Sequence, residues 1–168
     1  MESLETARLI IRNCAPDDWQ QLQEVAVAYE AFPGRFENPW PTSEEEVKGM
    51  ASWFAEGDGY LAACLKDTGR LIGLVAIAHH EDAEGHEHGL GYVFHPDYHG
   101  KGYATEAMRS AMAYVFDDHG AERIRTGTHP DNAPSVKLLN RLGLRQIEPG
   151  TYTIAREEWL AAQSPSPR

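Results

Sequence analysis

The stretch from Val93 to Phe116 constrains the fold of this chain more than any other. It runs from an apolar strand sequence through a turn with two glycines, Gly100 and Gly102, into a segment whose apolar residues recur at helical spacing. A strand, turn and helix of this kind aim main-chain N–H groups and the positive helix end at one point, and glycine lets an anion come close. We therefore predict a diphosphate site here, with a purely structural turn as the alternative.

The turn matches neither of two familiar phosphate motifs. It lacks the third glycine of a dinucleotide-binding turn, and no Gly-Lys-Ser/Thr sequence follows a four-residue gap as in a P-loop. The sequence thus disfavours an ATP-binding or dinucleotide-binding protein.

Strand and helix signals alternate along the rest of the chain. We predict one α/β (α+β) layer structure with a mixed sheet as a single domain over residues 1–162, and a disordered tail at residues 163–168. The predicted strands are residues 8–12, 60–65, 71–78, 87–94, 124–128 and 151–154, and the predicted helices begin near Pro16, Ser43, Ala104 and Ser135.

The charge balance excludes several kinds of partner. The 168 residues include 26 acidic and 15 basic ones, for a net charge of −11, which disfavours nucleic acid and anionic lipid. No apolar stretch approaches the roughly 20 residues that span a bilayer, the N-terminus lacks a signal-peptide core, and Cys14 and Cys64 make no disulfide framework. We expect a cytoplasmic protein without a membrane or nucleic-acid partner.

The glycine turn resembles the pyrophosphate loop of the GNAT acetyltransferases. That family has the pattern Gln/Arg-x-x-Gly-x-Gly/Ala, which this chain matches at Gly102 and Ala104 and departs from at His99. The sequence Gly-Lys-Gly-Tyr-Ala-Thr-Glu-Ala is especially similar to that of the RimJ/RimL-like branch of ribosomal-protein N-terminal acetyltransferases. Further similar pieces follow the family order at residues 5–9, 91–92, 132–135 and 142–144.

The resemblance implies a mostly antiparallel central sheet with flanking helices, in which a parallel strand pair, residues 87–94 and 124–128, splays apart. It implies acetyl-CoA as acyl donor and a primary amine as acceptor, either a protein N-terminal α-amine or a small-molecule amine. Homodimers are common in similar proteins. The implied coenzyme-binding residues are Phe94, His99, Gly100, Lys101, Gly102, Tyr103, Ala104, Thr105, Asn132 and Ser135.

The residue that would deprotonate the acceptor is less evident. An amine attacks a thioester only when it is unprotonated, so a base or a water chain is needed. The RimJ/RimL-like branch commonly has a glutamate two residues before the Gly-Tyr of the coenzyme strand, where this chain has Gly89. Glu87 shares that face by strand alternation and is the first candidate base. The competing candidates are His79, His80, His86 and His88.

The expected acid for the leaving thiolate is also missing. Many GNAT enzymes use a tyrosine seven residues after the equivalent of Asn132, where this chain has Leu139. Ser135, Tyr92 or water are the replacements, and a helix cap is the alternative role of Ser135. These two departures keep a catalytically silent acyl-CoA-binding sensor as the alternative to an acyltransferase.

A run of histidines and acidic residues at positions 79–88 raises the question of a metal. Imidazoles and carboxylates are good ligands, but the run lacks His-Glu-x-x-His spacing and lies around a predicted hairpin loop. We expect a solvated loop and no metal.

Overall fold

The computed structural model of this protein describes residues 1–36, 39–80 and 86–164. The chain divides into two compact units, the first made of Met1–Ile77 and Gly91–Ser110 and the second of Ala78–Leu90 and the residues from Ala111 onward. The single domain over residues 1–162 stays a prediction. Gln163, where the predicted tail begins, is the last residue of the final helix, and residues 165–168 lie outside the described part.

Eight strands and five α-helices occupy the described part of the chain. The strands are β1 (Leu4–Glu5), β2 (Leu9–Asn13), β3 (Tyr60–Leu65), β4 (Leu71–His80), β5 (Glu87–Phe94), β6 (Arg123–Gly127), β7 (Arg145–Glu148) and β8 (Thr151–Ala155). The helices are α1 (Trp19–Glu30), α2 (Glu44–Phe54), α3 (Tyr103–Asp117), α4 (Ala133–Arg141) and α5 (Arg156–Gln163). No helix among the described residues has the length and apolar character needed to cross a membrane.

The strands form one sheet in the order β1-β2-β3-β4-β5-β6-β8-β7. The pairs β1/β2, β2/β3, β3/β4, β6/β8 and β7/β8 are antiparallel. Strands β5 and β6 run parallel, with Glu87 opposite Arg123 and His88 opposite Ile124. The predicted mixed sheet with a parallel pair and flanking helices is thereby confirmed.

The core of the first unit lies where α1 and α2 meet the inner strands. It comprises Cys14, Leu22, Val25, Tyr29, Val47, Ala51, Phe54, Ala62, Cys64, Leu71, Leu74 and Val93. The α1 residues in this core recur at helical spacing, and Ser43 caps α2, near the predicted helix start, by accepting a hydrogen bond from the Glu46 N–H.

A largely buried ion pair fixes the entry into α1. Both terminal nitrogens of Arg12 lie 2.8 Å from the carboxylate of Asp18, which also accepts the Ala15 N–H at 2.8 Å. Burial alone would raise the pKa of Asp18, but the hydrogen bonds from Arg12 and Ala15 and the charge of Arg12 outweigh it and lower that pKa. The same pairing raises the pKa of Arg12.

The second unit has a separate set of buried contacts. The rings of Phe116 and Trp159 stack with centroids 5.9 Å apart, and Ile124 and Ile154 are buried opposite each other on β6 and β8. The hydroxyl of Thr153 is also buried and donates to the Ile124 carbonyl at 2.9 Å. This unit therefore holds β6 and β8 together by both apolar packing and a buried hydrogen bond.

Candidate active site

The glycine turn has the geometry that its sequence suggested. Gly100 and Gly102 have φ angles of +71° and +81°, a region that strains any residue with a Cβ atom. The Gly102 carbonyl accepts the N–H of Glu106 at 3.0 Å, so α3 begins directly after the turn. The first N–H groups of a helix lack intrahelical partners, and the positive end of the 15-residue helix lies beside them.

Arg8 and Glu106 brace this turn from both sides. The Arg8 side chain donates to the Glu106 carboxylate and to the Lys101 carbonyl, at 2.8 and 2.9 Å. The same carboxylate accepts the Arg8 main-chain N–H at 2.8 Å and the Thr6 hydroxyl at 2.6 Å. Although burial acts in the opposite direction, these bonds and the Arg8 charge lower the pKa of Glu106. The carboxylate therefore stays ionised and holds the start of the chain against the first turn of α3.

Arg8 and Glu106 had no predicted role. Residues 5–9 resemble the start of the family sequence, but this resemblance does not indicate which residues they contact. The guanidinium of Arg8 also lies over the Tyr103 ring, 4.1 Å from its centroid, and so contacts the turn at a third point.

His99, the residue that departs from the family pattern, is turned towards its own strand. Its Nε2 atom donates to the Phe94 carbonyl at 2.8 Å, and its ring packs edge-on against Phe32 with centroids 5.3 Å apart. The buried Phe94 ring occupies the space beside Gly73, where an added Cβ would lie 2.6 Å from it. Phe94 and His99 thus form one local unit at the end of β5.

The remaining predicted residues of the turn follow in sequence. Lys101 donates from Nζ to the Asp97 carbonyl at 2.9 Å, which fixes its side chain over the turn. Ala104 and Thr105 are half-buried in the first turn of α3. All the predicted residues from Phe94 to Thr105 therefore lie together on one strand, turn and helix of the first unit.

The other predicted residues belong to the second unit. Asn132 is the N-cap of α4, and its side-chain oxygen accepts the Ser135 N–H at 3.3 Å. Ser135 is buried, and Leu139, in place of the expected tyrosine, is an apolar core residue. The cap of α4 is therefore Asn132, whereas Ser135 contributes only its main-chain N–H and not the capping side chain that was the alternative for it.

A histidine lies beside the missing glutamate position. A Cβ atom added to Gly89 would lie only 2.9 Å from Nε2 of His80, although no main-chain atom lies closer than 3.5 Å. Glu87 lies one pleat away on the same strand and is half-buried. The rings of His79 and His88 pack against each other and against His119.

Neither cysteine is placed for nucleophilic chemistry. Cys14 and Cys64 are free and buried. Burial raises the pKa of the Cys14 thiol to about 12 and raises that of Cys64 as well. Because the thiolate is the reactive form, neither thiol is suited to act as a nucleophile.

Residues 8–145 match the family model described as an acetyltransferase (GNAT) domain. The match covers most of the chain, including the glycine turn and the parallel strand pair. This chain belongs to the GNAT acetyltransferase family. As a GNAT N-acetyltransferase it is an acyltransferase that depends on acetyl-CoA.

Individual relatives agree with this GNAT membership. The chain is 29% identical over 172 residues to the uncharacterized N-acetyltransferase YnaD of Bacillus subtilis, covering 93% of this chain and 98% of that protein. It is 32% identical over 92 residues to the FsC-acetyl coenzyme A-N(2)-transacetylase of Aspergillus fumigatus, covering 45% and 39%. The ribosomal-protein-S5-alanine acetyltransferase of Vibrio fischeri shares the fold, with a TM-score of 0.80 at 18% identity, over 95% of this chain and 99% of that one.

Proposed function

We propose that this GNAT enzyme transfers the acetyl group of acetyl-CoA to a primary amine by direct attack in a ternary complex. The observation that carries the proposal is the turn at Gly100 and Gly102, with its left-handed glycines, helix start and Arg8–Glu106 brace. A pyrophosphate carries charge that the helix end favours, and the glycines leave the main chain open to it. The buried cysteines support direct attack over an acyl-enzyme.

The proposed coenzyme contacts come from three segments of the chain. Residues 99–105 hold the pyrophosphate, and the main chain at Phe94 offers hydrogen bonds to the pantetheine arm. Asn132 and Ser135 meet the far part of the coenzyme through the start of α4, in addition to their capping bond. Ser135 or a water molecule protonates the leaving thiolate, since Leu139 has no proton to give.

A thermal unfolding experiment tests the coenzyme. Acetyl-CoA at about 100 times its dissociation constant should stabilise the protein by roughly 2.7 kcal/mol, which corresponds to a rise of about 5–10 °C in Tm. ATP and NAD serve as controls, because neither phosphate motif is present. No rise with saturating acetyl-CoA would contradict the proposal.

Two classes of acceptor fit the proposal. The structural neighbour from Vibrio fischeri is named for an alanine of ribosomal protein S5, and the relative from Aspergillus fumigatus is named for transfer to N(2). The net charge of −11 favours cationic acceptors of either class. Thiol release above background hydrolysis, measured with peptides that begin with a free α-amine and with small-molecule amines, assigns the class. Tight acetyl-CoA binding without release for any amine would instead indicate a silent sensor.

We further propose that His80 takes the place of the missing glutamate as the base. The imidazole Nε2 atom of His80 occupies the volume that a side chain at position 89 would fill. An imidazole there can accept a proton from the ammonium form of the acceptor, the role that the family resemblance implies for a glutamate. Glu87, the candidate from strand alternation, lies two residues before Gly89 on β5 and is the alternative base.

The double variant His80→Ala/Gly89→Glu tests whether a carboxylate at position 89 can replace His80 as the base. His80→Ala should lower kcat by about 100-fold or more, the usual contribution of a general base. Gly89→Glu alone should also be impaired, because its Cβ atom would lie 2.9 Å from Nε2 of His80 and would displace that imidazole. Combining them frees that space for the carboxylate, so the double variant should recover activity above either single one.

Two controls make the result specific to proton transfer. The His80→Ala defect should shrink as pH rises through the α-amine pKa near about 8, because solvent then deprotonates the acceptor. Glu87→Gln should keep most of the wild-type kcat. If Glu87→Gln loses activity and His80→Ala does not, Glu87 is the base.

A further inference from the structure

A cluster of three histidines lies in the second unit, and none of the three is assigned a role in the proposed reaction. His79 comes from the end of β4, His88 from β5 and His119 from the turn after α3. One nitrogen from each ring can be chosen so that all three nitrogens lie within 4.8 Å of one another. Such a convergence of imidazoles from three separate segments provides the ligand atoms of a metal site.

One pair of nitrogens already has the spacing of two neighbouring ligands of a tetrahedral metal ion. Nε2 of His88 and Nδ1 of His119 are 3.4 Å apart. In a tetrahedral zinc site with Zn–N bonds of about 2.0–2.1 Å, neighbouring nitrogens are roughly 3.3–3.4 Å apart. His79 is exposed at the end of its strand, so a change of its side-chain rotamer can bring the third nitrogen to the same distance.

His88 adds an independent observation. Its side chain is only 4% exposed, and its Nε2 atom lies beside Nδ1 of His119. A metal in the cluster would use the Nε2 lone pair, with the ring proton on Nδ1. The buried ring has little room to turn, so this nitrogen is held in place for the ion.

The ring arrangement requires the exposed His79 ring to turn before all three lone pairs can point at one ion. The rings of His79 and His119 are nearly parallel, at 12° with centroids 5.2 Å apart, while the His88 ring is tilted by about 60° to both. Tyr114 packs edge-on against His119 at 4.6 Å and forms part of the wall. Like-charged imidazolium rings would repel at these distances, whereas neutral rings sharing a metal do not.

We propose that His79, His88 and His119 form a binding site for one divalent transition-metal ion of the zinc type. Neutral imidazole suits zinc, copper and nickel, and three protein ligands leave a position for water or another donor. The ion would link β4, β5 and the turn after α3 within the second unit. This differs from the expectation of no metal, and His119, far along the chain from the histidine run, is the residue that changes the assessment.

Zinc titration of tag-free, chelator-treated protein tests the site, with elemental analysis after dialysis. We expect one equivalent of zinc per chain and a Tm rise of roughly 5–10 °C at about 100 times the dissociation constant. Co²⁺ in place of zinc should give the visible absorption of a tetrahedral nitrogen site.

His79→Ala and His119→Ala should each weaken zinc binding by at least about 100-fold, because losing even an outer partner of a ligand costs about 10–100-fold. His79 is exposed, so its variant is expected to fold. His129→Ala, which removes an exposed imidazole outside the cluster, is the matched control and should bind like wild type. Equal zinc affinity in all three variants, or less than half an equivalent in wild type, overturns the proposal.

Discussion

Replacing Gly102 by glutamate should weaken acetyl-CoA binding by at least about 100-fold. A carboxylate 4 Å from a phosphate costs about 4 kcal/mol at an effective dielectric constant of 20, and each 1.4 kcal/mol is tenfold in affinity. The φ angle of +81° adds backbone strain, and an added Cβ would lie 3.3 Å from Nη2 of Arg8. The new carboxylate would therefore also compete with Glu106 for its partner. Isothermal titration calorimetry with acetyl-CoA measures the loss.

Gly69→Glu is the matched control for that experiment. Gly69 has φ of +72° in the turn between β3 and β4, with no atom within 4 Å of an added Cβ. Both variants bear similar backbone strain, about 1–2 kcal/mol, so both should lose similar thermal stability. Gly102→Gln, which adds bulk without charge, should fall between them in affinity. A folded Gly102→Glu protein that binds like wild type would remove the turn from the coenzyme site.

Asp18→Asn should produce the second large effect, a loss of roughly 2–4 kcal/mol in the free energy of unfolding. The amide cannot reproduce the two 2.8 Å bonds to Arg12, and it leaves the guanidinium without its counter-ion. The corresponding fall in Tm is roughly 5–15 °C. Asp17→Asn is the neighbouring control, since Asp17 is exposed, and its effect should stay within about 0.5 kcal/mol.

The effect of Asp18→Asn should depend on pH in a defined direction. The pKa of Asp18 is lowered in the folded state, so the ionised carboxylate stabilises the fold above the unfolded pKa of about 4. That stabilisation disappears as pH falls through the folded pKa. The difference in Tm between wild type and variant should therefore be full at pH 7 and shrink below about pH 4. A difference that does not change with pH would mean that Asp18 acts by packing alone.

Local patterns predicted most elements that carry the site. Strands β3 and β5 have the bounds that their apolar runs indicated, and α3 follows the glycine turn as its spacing required. Strand β7 and helix α5 have no such pattern, because every residue of β7 is exposed and Trp159 is the buried residue of α5. Strand β1 is only two residues long, too short for a periodic pattern to show.

Local sequence patterns were enough to predict the glycine turn, the order of strands and helices around it and the family, because these features depend on neighbours within one turn or strand. The contacts between distant side chains became evident from the folded chain alone. Arg8 reaches Glu106 across 98 positions, and His119 reaches His88 across 31. Folding likewise brings His80 into the space above Gly89. Such contacts depend on strand pairing and helix packing, and no local period in a sequence encodes them.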